Sequence, residues 1–336
     1  MQKLFTILLM KSKLLLFFSL SLFVGCTHYE PKAEELECDS IPVDFALASA
    51  RTVVYNDSVF IFFGRNSNGN SKKYYVADID NLSEFNEYDL PIKPRVSAIA
   101  ARLGNKVFMG LGTASRQNSS LIYYYDWWSY NLDNHELDSL APFPGVDPNA
   151  AVSWVDEVNN IVYVAFGYIY RPGGCFHQNV YAYYVEENRW ELICDEGNKK
   201  RTLAAAGVIN GRFFAGCGFN TFNLKDWWEF IPDEKKWIKR ADTPSKGRIF
   251  SATAVNDNLL YLVGGRYWGG TETSMYLYKD ILVYDADADT WSSLGNMPTG
   301  GTENLVSFFA KGKLFWGLGQ TSDGKYVKSF YYTVPK

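Results

Sequence analysis

The sequence predicts an all-β fold built from six four-stranded units, and three recurring features predict it. An apolar run ending in glycine returns six times, as VFIFFGRN, VFMGLGTA, IVYVAFGYI, RFFAGCGFN, LLYLVGGRYW and LFWGLGQT. Its glycines fall at Gly64, Gly112, Gly167, Gly218, Gly265 and Gly319, in steps of 48, 55, 51, 47 and 54 residues, a spacing that marks repeat architecture. An aromatic residue is then followed seven positions later by Trp, in Tyr183 to Trp190, Phe230 to Trp237 and Tyr284 to Trp291, with Leu137 standing in after Tyr130. Finally, units close on proline, as in LDSLAPFP, WIKRADTP and WSSLGNMP.

Within a unit the strands follow in a fixed order. The first is a run of small residues (RVSAIAAR, RTLAAAGV, RIFSATAV), ended by a polar turn (LGN, ING, NDN). The second is the apolar run, of a length and aromatic and β-branched content that suit a buried strand. A loop of variable length leads to the third strand, which ends on the aromatic residue, and the fourth carries the Trp. This order places both DWW sequences, at Asp126 and Asp226, on third strands. Consecutive side chains of a strand face opposite ways, so Trp127 and Trp128 are expected to pack on two different neighbours and not to form one platform. The sixth unit stops at FYYTVPK without a fourth strand, while an orphan LECDSIPVD precedes the first. The N-terminal segment is therefore expected to complete the last unit and leave no open edge between the chain ends.

The stretch VGGRYW…ILVYDADADTW, from Val263 to Trp291, resembles the kelch repeat, and the resemblance extends over residues 36–333. It implies a six-bladed β-propeller, one blade per unit, closed by the N-terminal strand. Only the fifth unit keeps the full Gly-Gly doublet, and the first has no clear Tyr–Trp pair.

Ahead of the repeats, MKSKLLLFFSLSLFVGC has the charged start, apolar run and small-residue end of a secretory signal. FVGC resembles a lipoprotein processing site. The expected organisation is a signal over 1–25, a tether over 26–35 lipidated on Cys26, and the propeller over 36–336. Several acyl chains would anchor it stably, in the periplasm or at the cell surface, on the outer membrane of a Gram-negative bacterium. With 37 acidic against 33 basic residues and no basic tract, nucleic acid is not an expected partner. Cys38, Cys175, Cys194 and Cys217 allow three disulfide pairings, among which the sequence does not choose.

Function in such a scaffold belongs on loops. The kelch resemblance gathers two segments per blade on one face, the lead-in to the first strand and the loop after the glycine. Arg95, Arg201 and Arg248 occupy equivalent lead-in positions, with Asn149 and Thr302 near theirs. The post-glycine loops carry Arg65 and Asn66, Tyr168 and Tyr170, Phe219 and Asn220, and Arg266, Tyr267 and Trp268, while His177 follows in the long third loop. Guanidinium forks suit carboxylates, and aromatic faces suit the apolar side of a sugar ring. The expected partner is thus a glycan, acidic ones included, or a protein. The arginines are expected either to touch ligand, in which case replacement spares the melting temperature, or to bind loop carbonyls between blades.

The galactose oxidase version of this scaffold needs a copper site with two histidines. The chain has only His28, His135 and His177, so neither a metal nor any other cofactor is expected. N-acetylneuraminate epimerases, also exported kelch proteins, are similar in having six repeats and imply cofactor-free exchange of sugar anomers. Glu303 and Glu272 are the candidate acid–base groups for that chemistry. A structural place in an outer-membrane assembly is a third expectation.

Overall fold

The computed structural model describes residues 34–115, 121–146, 148–169, 175–270 and 275–335, and there the chain forms six four-stranded antiparallel sheets arranged as the blades of a β-propeller. Blade one comprises Arg51–Tyr55, Ser58–Phe62, Lys73–Asp78 and Asn86–Asp89. Blade two comprises Ile99–Leu103, Lys106–Gly110, Trp127–Asn131 and Leu137–Leu140, and blade three Val152–Asp156, Ile161–Tyr168, Phe176–Tyr184 and Arg189–Cys194. Blade four is Ala205–Ile209, Arg212–Gly216, Trp227–Ile231 and Lys236–Arg240, and blade five Ala252–Asn256, Leu259–Val263, Asp280–Asp285 and Thr290–Asn296. Blade six takes Val306–Ala310, Lys313–Gly317 and Ser329–Thr333 from the end of the chain and Asp39–Pro42 from its beginning.

A blade is covered on both faces by its neighbours, so its second strand has no polar side to show. In Ser58–Phe62 and Leu259–Val263 every residue after the first is buried. The buried side chains of the described residues fall into six clusters, one for each junction between blades. Phe60 and Phe62 meet Val107 and Met109 between blades one and two, for example, and Phe214 and Trp227 meet Leu260 and Tyr284 between four and five. The DWW pairs divide as expected. Trp127 packs into the junction of blades two and three while Trp128 lies against that of one and two, and Trp227 and Trp228 split in the same way on either side of blade four.

The degraded glycine doublet has a conformational explanation. At the end of every second strand two consecutive residues have positive φ: Phe63–Gly64, Leu111–Gly112, Phe166–Gly167, Cys217–Gly218, Gly264–Gly265 and Leu318–Gly319. The second position must be glycine, because a Cβ on Gly218 would stand 2.5 Å from the Thr202 carbonyl oxygen, and one on Gly265 2.7 Å from that of Ile249. The first position tolerates a side chain, at the conformational cost of a left-handed residue. Phe63, Leu111, Phe166, Cys217 and Leu318 are all buried there, so packing offsets that cost.

Asp39–Pro42 pairs antiparallel with Ser329–Thr333, from Asp39 opposite Tyr332 to Pro42 opposite Ser329. The ring is thus closed by the N-terminal strand. The contact begins before residue 36: the Asn296 amide donates to the Glu34 carbonyl at 2.8 Å, and the Leu36 amide to the Asn296 carbonyl at 2.8 Å. Glu34 and Glu35, expected in the tether, therefore already lie on the outer strand of blade five. Cys26 and the signal lie outside the described residues. In the first blade a 3₁₀ turn over Ile79–Asn81 replaces the missing ring pair, and Ile79 and Leu82 fill the adjoining junction instead. Among the described residues Cys38, Cys194 and Cys217 are free thiols.

Candidate functional site

Single backbone bridges tie each lead-in segment to its post-glycine loop: Ala48 to Arg65, Val96 to Thr113, Asn149 to Tyr168, Thr202 to Phe219, Ile249 to Arg266 and Glu303 to Gln320. The two segments of each blade therefore share one end of the ring, and six such pairs surround the central channel. In blades one, two and five the post-glycine loop rises as a short two-stranded ribbon (Arg65–Asn66 with Gly69–Asn70, Thr113–Ser115 with Leu121–Tyr123, Arg266–Tyr267 with Tyr276–Leu277).

Arg95, Arg201 and Arg248 do not face this end, which corrects the ligand-contact role expected of them. All three are fully buried. Arg201 donates to both carboxylate oxygens of Asp226 at 3.0 and 2.9 Å, and Arg248 to both of Asp280 at 3.0 and 2.9 Å. Arg95 grips Asp126 in the same bidentate way. Each also donates to the carbonyl of the first residue of the positive-φ doublet: Leu111 at 3.1 Å, Cys217 at 2.9 Å and Gly264 at 3.2 Å. The acid of each DWW sequence is thus half of an ion pair, and its second tryptophan completes the arrangement, since Trp128 and Trp228 donate their indole N–H to Asp126 and Asp226 at 2.9 and 2.7 Å. Burial pushes both carboxyls up, but the bonds from arginine and tryptophan outweigh it and hold them below the ordinary Asp range. The three arginines lock lead-in segments to third strands; their replacement is expected to lower stability and not to spare it.

What faces the end of the ring is aromatic. Tyr168 and Phe176 of blade three lie 4.6 Å apart between ring centroids, Phe176 and Phe219 of blade four 6.0 Å, and Phe219 and Trp268 of blade five 5.3 Å. Asn223 clasps the Trp268 backbone from the neighbouring loop, donating from its amide to the Trp268 carbonyl. Tyr267 stacks on Tyr276 at 5.1 Å, and Asn220 donates to the Lys200 carbonyl at 2.8 Å. Phe222, Trp268 and Tyr276 are exposed. His177 is half-buried on the third strand of blade three, its carbonyl accepting from the Arg201 amide at 3.0 Å. Tyr170 and Glu272 lie outside the described residues.

Glu303 is not a solvated carboxylate. It is buried at the lead-in of blade six, and one of its oxygens pairs with Arg266 of blade five. Its other oxygen, Oε2, and the Nε of Arg266 have no hydrogen-bond partner among the described residues. Burial raises the Glu303 carboxyl above the ordinary Glu range despite the attraction of Arg266 and Arg65. Arg65, on the blade-one ribbon, is exposed and reaches the Gln320 side chain at 3.5 Å. Sequence reasoning missed Phe176, Phe222, Asn223 and Tyr276, whose alignment with the site depends on how far each loop folds over its neighbour.

No protein-family model matches the chain. A stretch of 111 residues, 32% of the chain, is 32% identical to 28% of N-acetylneuraminate epimerase 1 of Escherichia coli O6:H1. Over 249 residues, 71% of the chain, it is 25% identical to 39% of Kelch-like protein 25 of Xenopus tropicalis. The N-acetylneuraminate epimerase of Yersinia enterocolitica is 26% identical over 172 residues, 40% of the chain and 44% of that protein. The chain thus spans less than half the length of these curated relatives. The solved structure of YjhT superposes with a TM-score of 0.72 over 85% of the chain and 94% of its own, at 16% identity, a likeness of fold.

Proposed function

Because the chain is a kelch-repeat β-propeller with its variable loops gathered at one end, we propose that this end binds a carbohydrate without transforming it. The arc of rings from Tyr168 through Phe176 and Phe219 to Trp268 carries the reading: it crosses three blades and ends on a tryptophan that is 40% exposed. Rigid aromatic faces with a few placed polar groups are what a sugar site requires. With the three buried arginines committed elsewhere, recognition of an acidic sugar falls to Arg65 and Arg266.

A second reading is favoured by Glu303. A buried carboxyl with a raised proton affinity and an unused oxygen has the properties of a general acid–base group, and two of the relatives are N-acetylneuraminate epimerases. In that reading the protein exchanges the anomers of an acidic sugar at the same site.

A glycan array that includes sialylated and uronic-acid glycans, run with the soluble body, tests both. The binding reading expects selective capture that falls at least tenfold in Phe219→Ala and Trp268→Ala, while their melting temperatures hold. The enzyme reading also expects accelerated anomer exchange, lost in Glu303→Gln. A blank array from folded protein would overturn both and leave a protein partner or a membrane assembly. The same proposal places the body outside the cytoplasm on a lipid at Cys26, so a Cys26→Ser chain is expected to leave the membrane fraction. Retention there would overturn the anchor.

A further inference from the structure

The six first strands converge on the axis as sheet edges, each hydrogen-bonded on one side only. Crowding there explains their small residues, and Ala100, Ala151, Ala205 and Ala252 line a central cavity of about 230 Å³. One large charged side chain breaks the pattern. Arg51 begins the first strand of blade one, where the other five blades carry Ile99, Val152, Ala205, Ala252 and Val306. It lines both this cavity and a smaller one of about 60 Å³ at the lead-in end, bordered by Ser49, Ser97 and Asn304.

Packing does not require a guanidinium at this position, since five blades manage with aliphatic side chains. Nor does a counter-charge hold it. Among the described residues Arg51 forms no ion pair, and neither cavity has an acidic residue in its lining. Among the described residues its one side-chain bond is from Nη1 to the neighbouring Ala50 carbonyl at 3.1 Å, so the guanidinium has further N–H donors to offer a ligand. Burial lowers its pKa to about 10. The contrast with Arg95, Arg201 and Arg248, each of which has a carboxylate of its own, is complete.

We propose that the central channel binds a small oxyanion, a carboxylate, phosphate or sulfate, on the Arg51 guanidinium. Arg51 is half-buried with its charge unmatched, and an oxyanion fits its planar fork with two parallel hydrogen bonds. The surroundings add donors. The inner-edge strands turn unpaired backbone groups to the axis, and Ser153 is among the residues that line the cavity. The cavity equals about eight waters at roughly 30 Å³ each, enough for such an anion with part of its hydration. This site is separate from the aromatic loops and does not depend on what they bind.

The test titrates sulfate, phosphate and acetate into the folded protein at constant ionic strength, following heat of binding and melting temperature, beside Arg51→Met. Methionine restores the apolar character of the other five blades. The wild-type protein is expected to bind saturably, its melting temperature rising by about 2–4 °C per tenfold excess of anion beyond saturation. Arg51→Met is expected to show no binding heat and to melt higher than wild type when only a bulky, poorly coordinating anion is present. Absence of binding by the wild type, or an equal response of both proteins, would overturn the site. Should Arg51→Met not fold, Arg51→Lys keeps the charge without the fork: affinity about tenfold weaker is expected, and unchanged affinity would overturn the proposal.

Discussion

At the scale of single residues, the chain spends its buried charges on holding blades in shape. Asp226 accepts from both Nη atoms of Arg201 and from the Trp228 indole, and its side chain is only 6% exposed. Removing it leaves a buried guanidinium with no counter-charge, a loss of roughly 3–5 kcal/mol. Asp126 holds Arg95 in the same geometry but is 30% exposed, so water can take its place in part. Asp226→Ala is therefore expected to lower the denaturant midpoint clearly more than Asp126→Ala, and equal effects would contradict the burial argument. The same pairs govern acid stability. The folded-state pKa values of Asp126, Asp226 and Glu229, the last buried on the third strand of blade four and paired with Arg212 and Arg240, are depressed, with burial opposing and arginine bonds prevailing. Their contribution is full above the unfolded values of about 3.9 and 4.3 and is lost as pH falls through the folded ones. Denaturation followed from pH 6 down to pH 2 should show stability falling away below about pH 4, and less steeply in Asp226→Asn.

At the scale of strands and turns, legibility followed sequence distance. The Tyr–Trp pair is visible at seven residues because the two sit opposite each other across one short turn, as in Tyr284 with Trp291. The structure adds the reason for the turn's chemistry. Asp289 at φ 50° accepts from the Tyr284 hydroxyl at 2.8 Å and from the Ala241 amide of the preceding blade at 2.9 Å, while the Trp291 indole donates to the Ala241 carbonyl at 2.9 Å. Asn188 repeats the arrangement between blades three and two, with Tyr183, Trp190 and Ala141. Asn and Asp tolerate the left-handed conformation that this double acceptor needs. The lead-in arginines were legible as a repeat but not in their role, because their carboxylates lie 31, 25 and 32 residues further along and meet them only once a blade is formed. Arg51 left its signal in the opposite way, as an exception to a repeated apolar position that becomes conspicuous only when the first strands are set side by side around an axis. Three of the four rings of the aromatic arc were visible, Tyr168, Phe219 and Trp268, while Phe176 entered it only because its hairpin brings it back beside Tyr168.

At the scale of the whole molecule, the ring has no covalent closure, so its integrity rests on one four-residue strand. Asp39–Pro42 covers the edge of Ser329–Thr333, and the segment around it serves two junctions at once. Leu36 and Cys38 pack toward blade five and Ile41 toward blade one, while the Thr333 hydroxyl donates to the Glu37 carbonyl at 3.0 Å. Every other junction in the ring joins segments consecutive in sequence; this one joins opposite ends of the chain and is made at the highest loop-closure cost. Losing the strand would expose the backbone of Ser329–Thr333 as a pairing edge and uncover apolar surface on both sides of blade six. A chain lacking residues 34–42 is accordingly expected to melt roughly 10 °C or more below the intact body and to form higher oligomers on size-exclusion chromatography. A peptide of residues 34–44 added in trans should reverse both effects by supplying the missing strand. An unchanged melting temperature in the shortened, monomeric chain would show that the ring is held by its junctions alone and that the N-terminal strand is an ornament on the last blade.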